Sequence, residues 1–342
     1  MLSAESGSPQ GDGSPGPPIL GGEVGPPGSP MAGGAGPPGF PALGGGPDGA
    51  KADALSTPHS ALSAPVDYLV VGHVCVDAMA EGPRLGGAVA YAGLTAQRLG
   101  WRVGIVTSAP PTLDLAASLP GIALSCRPAP AATGFRNVYA SGVRRQTLLA
   151  RAAPLTLADV PLAWRAARVV HLAPVAQEVD LALAAALAAP GRLLAATPQG
   201  WLRRWDEAGA VVAAPCGDLP AWLRGLGALA LSEEDLAAEP GGAARLAAAG
   251  PLVALTRGEQ GVRVLRGAET WDLPACPARP RDPTGAGDVF AAAWFGRLAM
   301  GDNAVAAARY AACAAACAVE RPGLAGVPTA DEIEERLARW AA

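Results

Sequence analysis

The chain has 342 residues, half of them apolar, with a formal net charge of −4, which is enough apolar material for a core in one large domain or two small ones. The excess acid lies in the first 65 residues, so the remainder is balanced and offers no basic face to nucleic acid or to an anionic membrane. No stretch reads as a transmembrane helix, and the N-terminus lacks the basic, apolar and small-residue order of a signal peptide.

Residues 1–65 are mostly Gly, Pro, Ser and Ala without periodicity, a composition expected to be disordered; Met31 is an alternative internal start. The globular part, 66–342, opens with a buried strand over Val66–Val71 that ends at Gly72. Gly86 and Gly87 precede a helical stretch to Leu99, closed by Gly100, and residues 101–106 form a second strand. Thr133 to Ala150 alternates polar and apolar around Ala140-Ser141-Gly142, the pattern of a hairpin; with Arg136, Arg144, Arg145 and Arg151 it reads equally as a projecting flap or a solvated surface hairpin. Further strands are predicted near 168–173, 192–196, 227–231 and 251–255, separated by Ala/Leu-rich helices, with a second hairpin from Gly261 to Leu273. That alternation predicts an α/β fold, a doubly wound, mostly parallel sheet with helices on both faces.

The six cysteines contain no C-x-x-C, which fits a reduced, cytoplasmic setting, and Cys313 and Cys317 read as small buried packing one helical turn apart. His59, His73 and His171 have no zinc-ligand spacing. Lys51 is the only lysine, and it lies in the low-complexity region. The globular part therefore has no lysine for a Walker A loop, a Schiff base or pyridoxal phosphate. Phosphate chemistry would have to run on backbone N–H groups, arginine and metal.

The most informative stretch is Asp282-Pro283-Thr284-Gly285-Ala286-Gly287-Asp288, followed by the apolar run 289–294. Pro283 cannot continue a preceding helix, whereas the apolar run reads as a buried helix beginning here. Gly285, Ala286 and Gly287 carry almost no side chain, so an anion can approach their N–H groups at the positive end of that helix. Asp288 repels a resting phosphate unless it takes a proton from the group that attacks it; otherwise it is a first-turn partner of the helix dipole. A nicotinamide enzyme is excluded, because no G-x-G-x-x-G joins the first strand to a helix.

Three motifs in this order, Gly86-Gly87 with its helix, Thr256-Arg257-Gly258-Glu259-Gln260-Gly261, and the 282–288 stretch, resemble the ribokinase-like (PfkB) carbohydrate kinase family from about Val66 to the C-terminus. The resemblance implies a ribokinase-like fold and ATP-dependent phosphoryl transfer to a hydroxyl of a sugar, nucleoside or cyclitol. By it, Asp288 is the general base and Gly285, Ala286 and Gly287 form the anion hole. Thr256, Gly258 and Gly261 line the nucleotide site, and Asp77, Gly86, Gly87 and Tyr91 line the substrate site. Asp77 also reads as a turn or cap residue. The implied cofactors are ATP and Mg2+, with a monovalent cation left open; the implied partner is a small polyol, and the implied state a monomer or homodimer.

The chain departs from the family at several places. Tyr91 stands where an Asn is usual, which shifts the expected substrate from ribose or fructose towards a nucleoside or cyclitol, unless Tyr91 points into the core. Ser232-Glu233-Glu234-Asp235 replaces N-x-x-E; Asp235 reads either as a ligand of metal-bound water or as half of a capping box with Ser232. The interval between Asp77 and Gly86 is too short for the paired lid strands of ribokinase, so a lid reduced to the 133–150 hairpin is expected. A β-branched residue at Gly287 is expected to obstruct the loop and to demand unfavourable dihedrals. These departures keep open an inactive binding or scaffold protein of the same fold. Deleting residues 1–62 should leave melting temperature and turnover unchanged; a drop of several degrees would show that this region packs on the domain.

Overall fold

Strand β1 (Tyr68–Val71) carries four apolar side chains in succession, all fully buried. Such a strand has to lie inside a sheet with helices on either side. It does so in the computed structural model, which describes residues 62–79, 82–140, 143–217, 223 and 225–341. The disorder expected for residues 1–65 falls, up to residue 61, outside the described residues.

After β1 come β2 (Cys75–Met79), β3 (Gly82–Gly86), helix α1 (Ala88–Arg98), β4 (Val103–Ala109), the single turn α2 (Leu115–Ser118) and β5 (Ala123–Pro128). Next are β6 (Gly134–Ala140), β7 (Val143–Ala150), β8 (Val169–Leu172), α3 (Leu181–Leu187), β9 (Leu193–Ala196), β10 (Arg203–Trp205), β11 (Val211–Ala213) and β12 (Ala228–Ser232). The chain continues through α4 (Gly242–Ala248), β13 (Leu252–Thr256), β14 (Val262–Arg266), β15 (Glu269–Leu273), α5 (Ala286–Met300), α6 (Ala304–Ala318) and α7 (Ala330–Ala341).

The main sheet runs β15-β14-β13-β12-β9-β8-β1-β4-β5. It is parallel from β13 to β5, with β14 and β15 added antiparallel as the second predicted hairpin. Side chains of β1 alternate between two cores. Tyr68 and Val70 face the layer that holds α1, α5 and α6, while Leu69 and Val71 face the layer that holds α3 and α4. All six predicted main-sheet strands are present. The edge strand β5 and the separate β10–β11 pair lacked a sequence signal because they are short or exposed.

A lid made only of the 133–150 hairpin is not what the structure has. The β6–β7 hairpin exists, its turn residues 141 and 142 lying outside the described residues, but β2 and β3 pair antiparallel and join it in a four-stranded sheet, β3-β2-β6-β7. Two five-residue strands fit in the interval judged too short, because Asp77 and Gly86 are themselves strand residues.

Two histidines are buried, His171 within β8 and His73 in the segment after β1. His171 contacts the Tyr68 hydroxyl at 3.3 Å and Thr197 Oγ1 at 3.2 Å, and burial drives its pKa down to about 3. Burial also lowers His73, against the opposing influence of Glu178. Both gain protons more readily when unfolded, so the stability they contribute is full above their ordinary pKa of 6.5 and is lost as pH falls below it. The urea midpoint should therefore decline between pH ~6.5 and ~5, each neutral histidine costing roughly 1.4 kcal/mol per pH unit. A flat profile across that window would show that these imidazoles take up protons without unfolding.

Candidate active site

The 282–288 stretch forms the loop expected of it. The Asp282 carboxylate accepts from the N–H of Thr284 at 3.0 Å, the N–H of Gly323 at 3.0 Å and Arg84 of β3 at 2.9 Å. Burial works against its charge, but these N–H groups and the guanidinium hold its carboxyl below the usual range. Gly285 then takes the left-handed conformation, φ 79° and ψ −2°, as N-cap of α5. Ala286, Gly287 and Asp288 are the first three helical residues, in the turn where helix geometry itself supplies no acceptors. The Ala286 N–H makes a long bond, 3.3 Å, to the Pro283 carbonyl.

Asp77 is neither a turn nor a cap residue. It lies within β2 opposite Arg84, and its Oδ1 accepts from the Phe135 N–H at 3.3 Å. Gly87 is the N-cap of α1, and Tyr91 lies one turn inside that helix. Tyr91 is 2% exposed, as a core residue would be, and its ring forms part of a cavity wall. A Cβ built on Gly285 would lie 2.3 Å from Tyr91 Cδ1, and one on Gly86 3.5 Å from Cε2. The ring thus separates the two glycine motifs. Its hydroxyl is buried without a hydrogen-bond partner among the described residues. Burial pushes the phenol's pKa up, and Asp282, Asp288 and Asp77 add to the effect, so it stays a protonated donor.

Asp77, Gly87, Tyr91, Gly285, Ala286, Gly287 and Asp288 line one cavity of about 780 Å³, together with Thr256, Gly258 and Asp235. Thr256 ends β13 beside Ser232 of β12, so the parallel register brings the 232–235 and 256–261 motifs to the same strand ends. A second cavity of about 620 Å³ shares Thr256, Gly258, Ala286 and Gly287 with the first and adds Gly261. Its other walls are mainly apolar, including Val262, Pro277, Phe290, Ala312 and Ala316. The capping-box geometry of Ser232 and Asp235 is present: Asp235 Oδ2 accepts from the Ser232 N–H at 2.9 Å and hydroxyl at 2.8 Å. It closes a turn rather than starting a regular helix.

Sequence reasoning passed over several residues that the fold delivers to these cavities. Arg203, Thr197 and Gln199 come from the segment after β9, and Phe135 and Gln146 from the second sheet. The first three follow a predicted parallel strand, and ligands collect beyond the C-terminal ends of such strands. That was the available signal. Cys276, on the second cavity, faces Cys313 with their sulfurs 3.5 Å apart, a contact between segments that spacing could not reveal.

The expectation of awkward dihedrals at Gly287 does not hold. Gly287 is helical, and a Cβ there would meet nothing within 4 Å; the constrained residue is Gly285. Gly285→Ala should lose about 2–4 kcal/mol, combining left-handed strain with overpacking against Tyr91. Gly287→Ala should hold or gain up to ~1 kcal/mol from helix propensity. Urea denaturation of the two variants checks this, and equal stability of the pair would deny the Tyr91–Gly285 contact.

Residues 227–330 match the family described as pfkB family carbohydrate kinase, a segment that includes Thr256 to Asp288 and excludes Asp77 to Tyr91. The chain is 44% identical over 84 residues to ribokinase of Bacillus subtilis (strain 168); the match covers 24% of this chain and 29% of that protein. Its fold is similar to that of a pyrophosphate-dependent kinase in the ribokinase family, with TM-score 0.67, 20% identity, and 79% of this chain and 99% of that one covered. It is also similar to Arabidopsis thaliana ribokinase complexed with ribose and ATP, with TM-score 0.61, 17% identity, and 80% and 99% covered. The C-terminal third thus carries the sequence of the pfkB family carbohydrate kinases, and the fold is that of ribokinase-family kinases.

Proposed function

We propose that this protein transfers a phosphoryl group from ATP to a hydroxyl of a small polyhydroxylated acceptor. The observation that carries the reading is the convergence of Asp288, the N-terminus of α5 and Asp77 on one cavity. Asp288 accepts the proton of the attacking hydroxyl. The first-turn N–H groups of α5, next to Gly285, take the charge of the transferred group, which suits a chain whose only lysine lies at position 51. Asp77 holds acceptor hydroxyls, and Tyr91 closes the wall between acceptor and anion loop.

Thr256, Gly258 and Gly261 border the second cavity, whose apolar walls suit a purine base. Among the related folds is a pyrophosphate-dependent kinase complexed with a pyrophosphate analog and myo-inositol, so the donor is a real choice. A bare pyrophosphate would leave those apolar walls unused, which favours the nucleotide. Glu234 and Asp235 line the same cavity as the 282–288 loop, and no cluster of three or more His, Cys, Asp or Glu among the described residues forms a metal cage. That arrangement suits Mg2+, which keeps most of its waters and is held by one or two carboxylates and the donor's phosphates. Bound there, Mg2+ would neutralise phosphate charge.

The acceptor is a nucleoside or a cyclitol in preference to ribose or fructose, because the Tyr91 ring fills volume that a smaller amide would leave open. A panel of myo-inositol, adenosine, ribose and fructose, each with ATP or pyrophosphate and Mg2+, should give turnover with ATP and the first two acceptors. Turnover with pyrophosphate alone would reassign the donor. Asp288→Asn should reduce turnover ~10²–10⁴-fold with nucleotide affinity nearly unchanged. Near-normal turnover in that variant would remove Asp288 from the mechanism.

A further inference from the structure

Among the described residues that line the larger cavity, Arg203 is the sole cation, against the carboxylates of Asp77, Glu234, Asp235 and Asp288. It is 9% exposed at the start of β10, well below the usual exposure of an arginine. A charge is kept out of water when it is compensated or has work to do. Three observations place Arg203 at the acceptor end. Its guanidinium carbon lies 5.9 Å from the centre of the Phe135 ring. The Phe135 N–H in turn donates to Asp77. Cys75, two residues before Asp77 in β2, lines the same cavity as Arg203.

The backbone that presents Arg203 is held firmly. A Cβ on Gly200 would lie 2.5 Å from the Pro174 carbonyl carbon and 2.6 Å from the Val175 nitrogen, so the segment after β9 is pressed against the segment after β8. Trp201 Nε1 donates to the Val179 carbonyl at 2.6 Å. The Arg203 carbonyl accepts from Gln177 at 2.6 Å, and β10 pairs with β11. The guanidinium therefore emerges from a fixed frame beside an aromatic face, a setting that restrains the plane of its N–H fork.

We propose that Arg203 is a specificity-determining residue for the acceptor, donating to two adjacent hydroxyl oxygens of the polyol while Asp77 accepts from its hydroxyl protons. This rests on the phosphoryl-transfer reading and extends it to the chemistry of the acceptor: a vicinal diol carried on a ring. A guanidinium offers donors and no acceptor, and a carboxylate the reverse, so the pair reads both aspects of each hydroxyl. Lysine would restore the charge without the planar fork.

The test is calorimetric binding of myo-inositol and its monodeoxy derivatives to the wild-type chain, Arg203→Met and Arg203→Lys, with turnover measured in parallel. Loss of one or two charge-assisted hydrogen bonds should weaken acceptor binding about 10–100-fold in Arg203→Met, with ATP affinity unchanged. Arg203→Lys should recover part of that loss. Wild type should lose a similar factor on removal of one particular hydroxyl, and the Met variant should no longer distinguish that deoxy compound from the parent. If Arg203→Met fails to fold, the Lys variant carries the same comparison. Equal acceptor affinity in the variants, or an undiminished deoxy penalty, would overturn the role of Arg203. Wild-type binding without turnover would instead remove the kinase reading and leave the binding comparison to decide Arg203.

Discussion

The contact on which the cavity depends is between the ring of Tyr91 and the backbone of Gly285. A Cβ at 285 would fall 2.3 Å from that ring, so the left-handed turn that starts α5 and the inner face of α1 can coexist only with glycine there. Close packing of this kind leaves no slack, and interiors respond to a single added methyl group. The distance between the start of α1 and the loop of residues 282–288 is thereby set by one aromatic thickness. Gly86 receives the other side of the ring, which joins two glycine motifs far apart in the chain.

Around that contact, some carboxylates organise backbone alone and others face the cavity as well. Glu178, 1% exposed, accepts from the N–H groups of His73, Val175 and Ala176, and so ties the segment after β1 to the segment after β8. Asp282 does the same for the loop of residues 282–288 and, through Arg84, fastens it to the second sheet. Asp77 and Asp235 also bind backbone, at the N–H groups of Phe135 and Ser232, but together with Asp288 they line the cavity. Backbone N–H groups bound by a buried carboxylate are removed from competition for an anion, while the first turn of α5 has no side-chain cap.

The second sheet shows how a length argument can mislead. Counting residues between Asp77 and Gly86 assumed that both lay outside the strands, whereas both are paired within them. β2 then extends the hairpin of β6 and β7 through Ala78 and Arg136, and Phe135 and Gln146 reach the cavity.

Much was legible in the chain itself. Buried strands, helices between them, the antiparallel edge hairpin and the loop of residues 282–288 follow from local pattern, because strand burial, proline and glycine act on their immediate neighbours. Asp288 and the glycines around it were legible for the same reason. What only the tertiary structure decided depends on segments distant in sequence: the order of strands in the sheet, the lodging of Tyr91 between Gly86 and Gly285, the Cys276–Cys313 contact, and the arrival of Arg203 beside Phe135. Gly287 marks the boundary between the two kinds of knowledge. As a glycine in a glycine-rich loop it looked constrained, but conformational demand belongs to a residue's φ and its neighbours in space, and both assign that demand to Gly285.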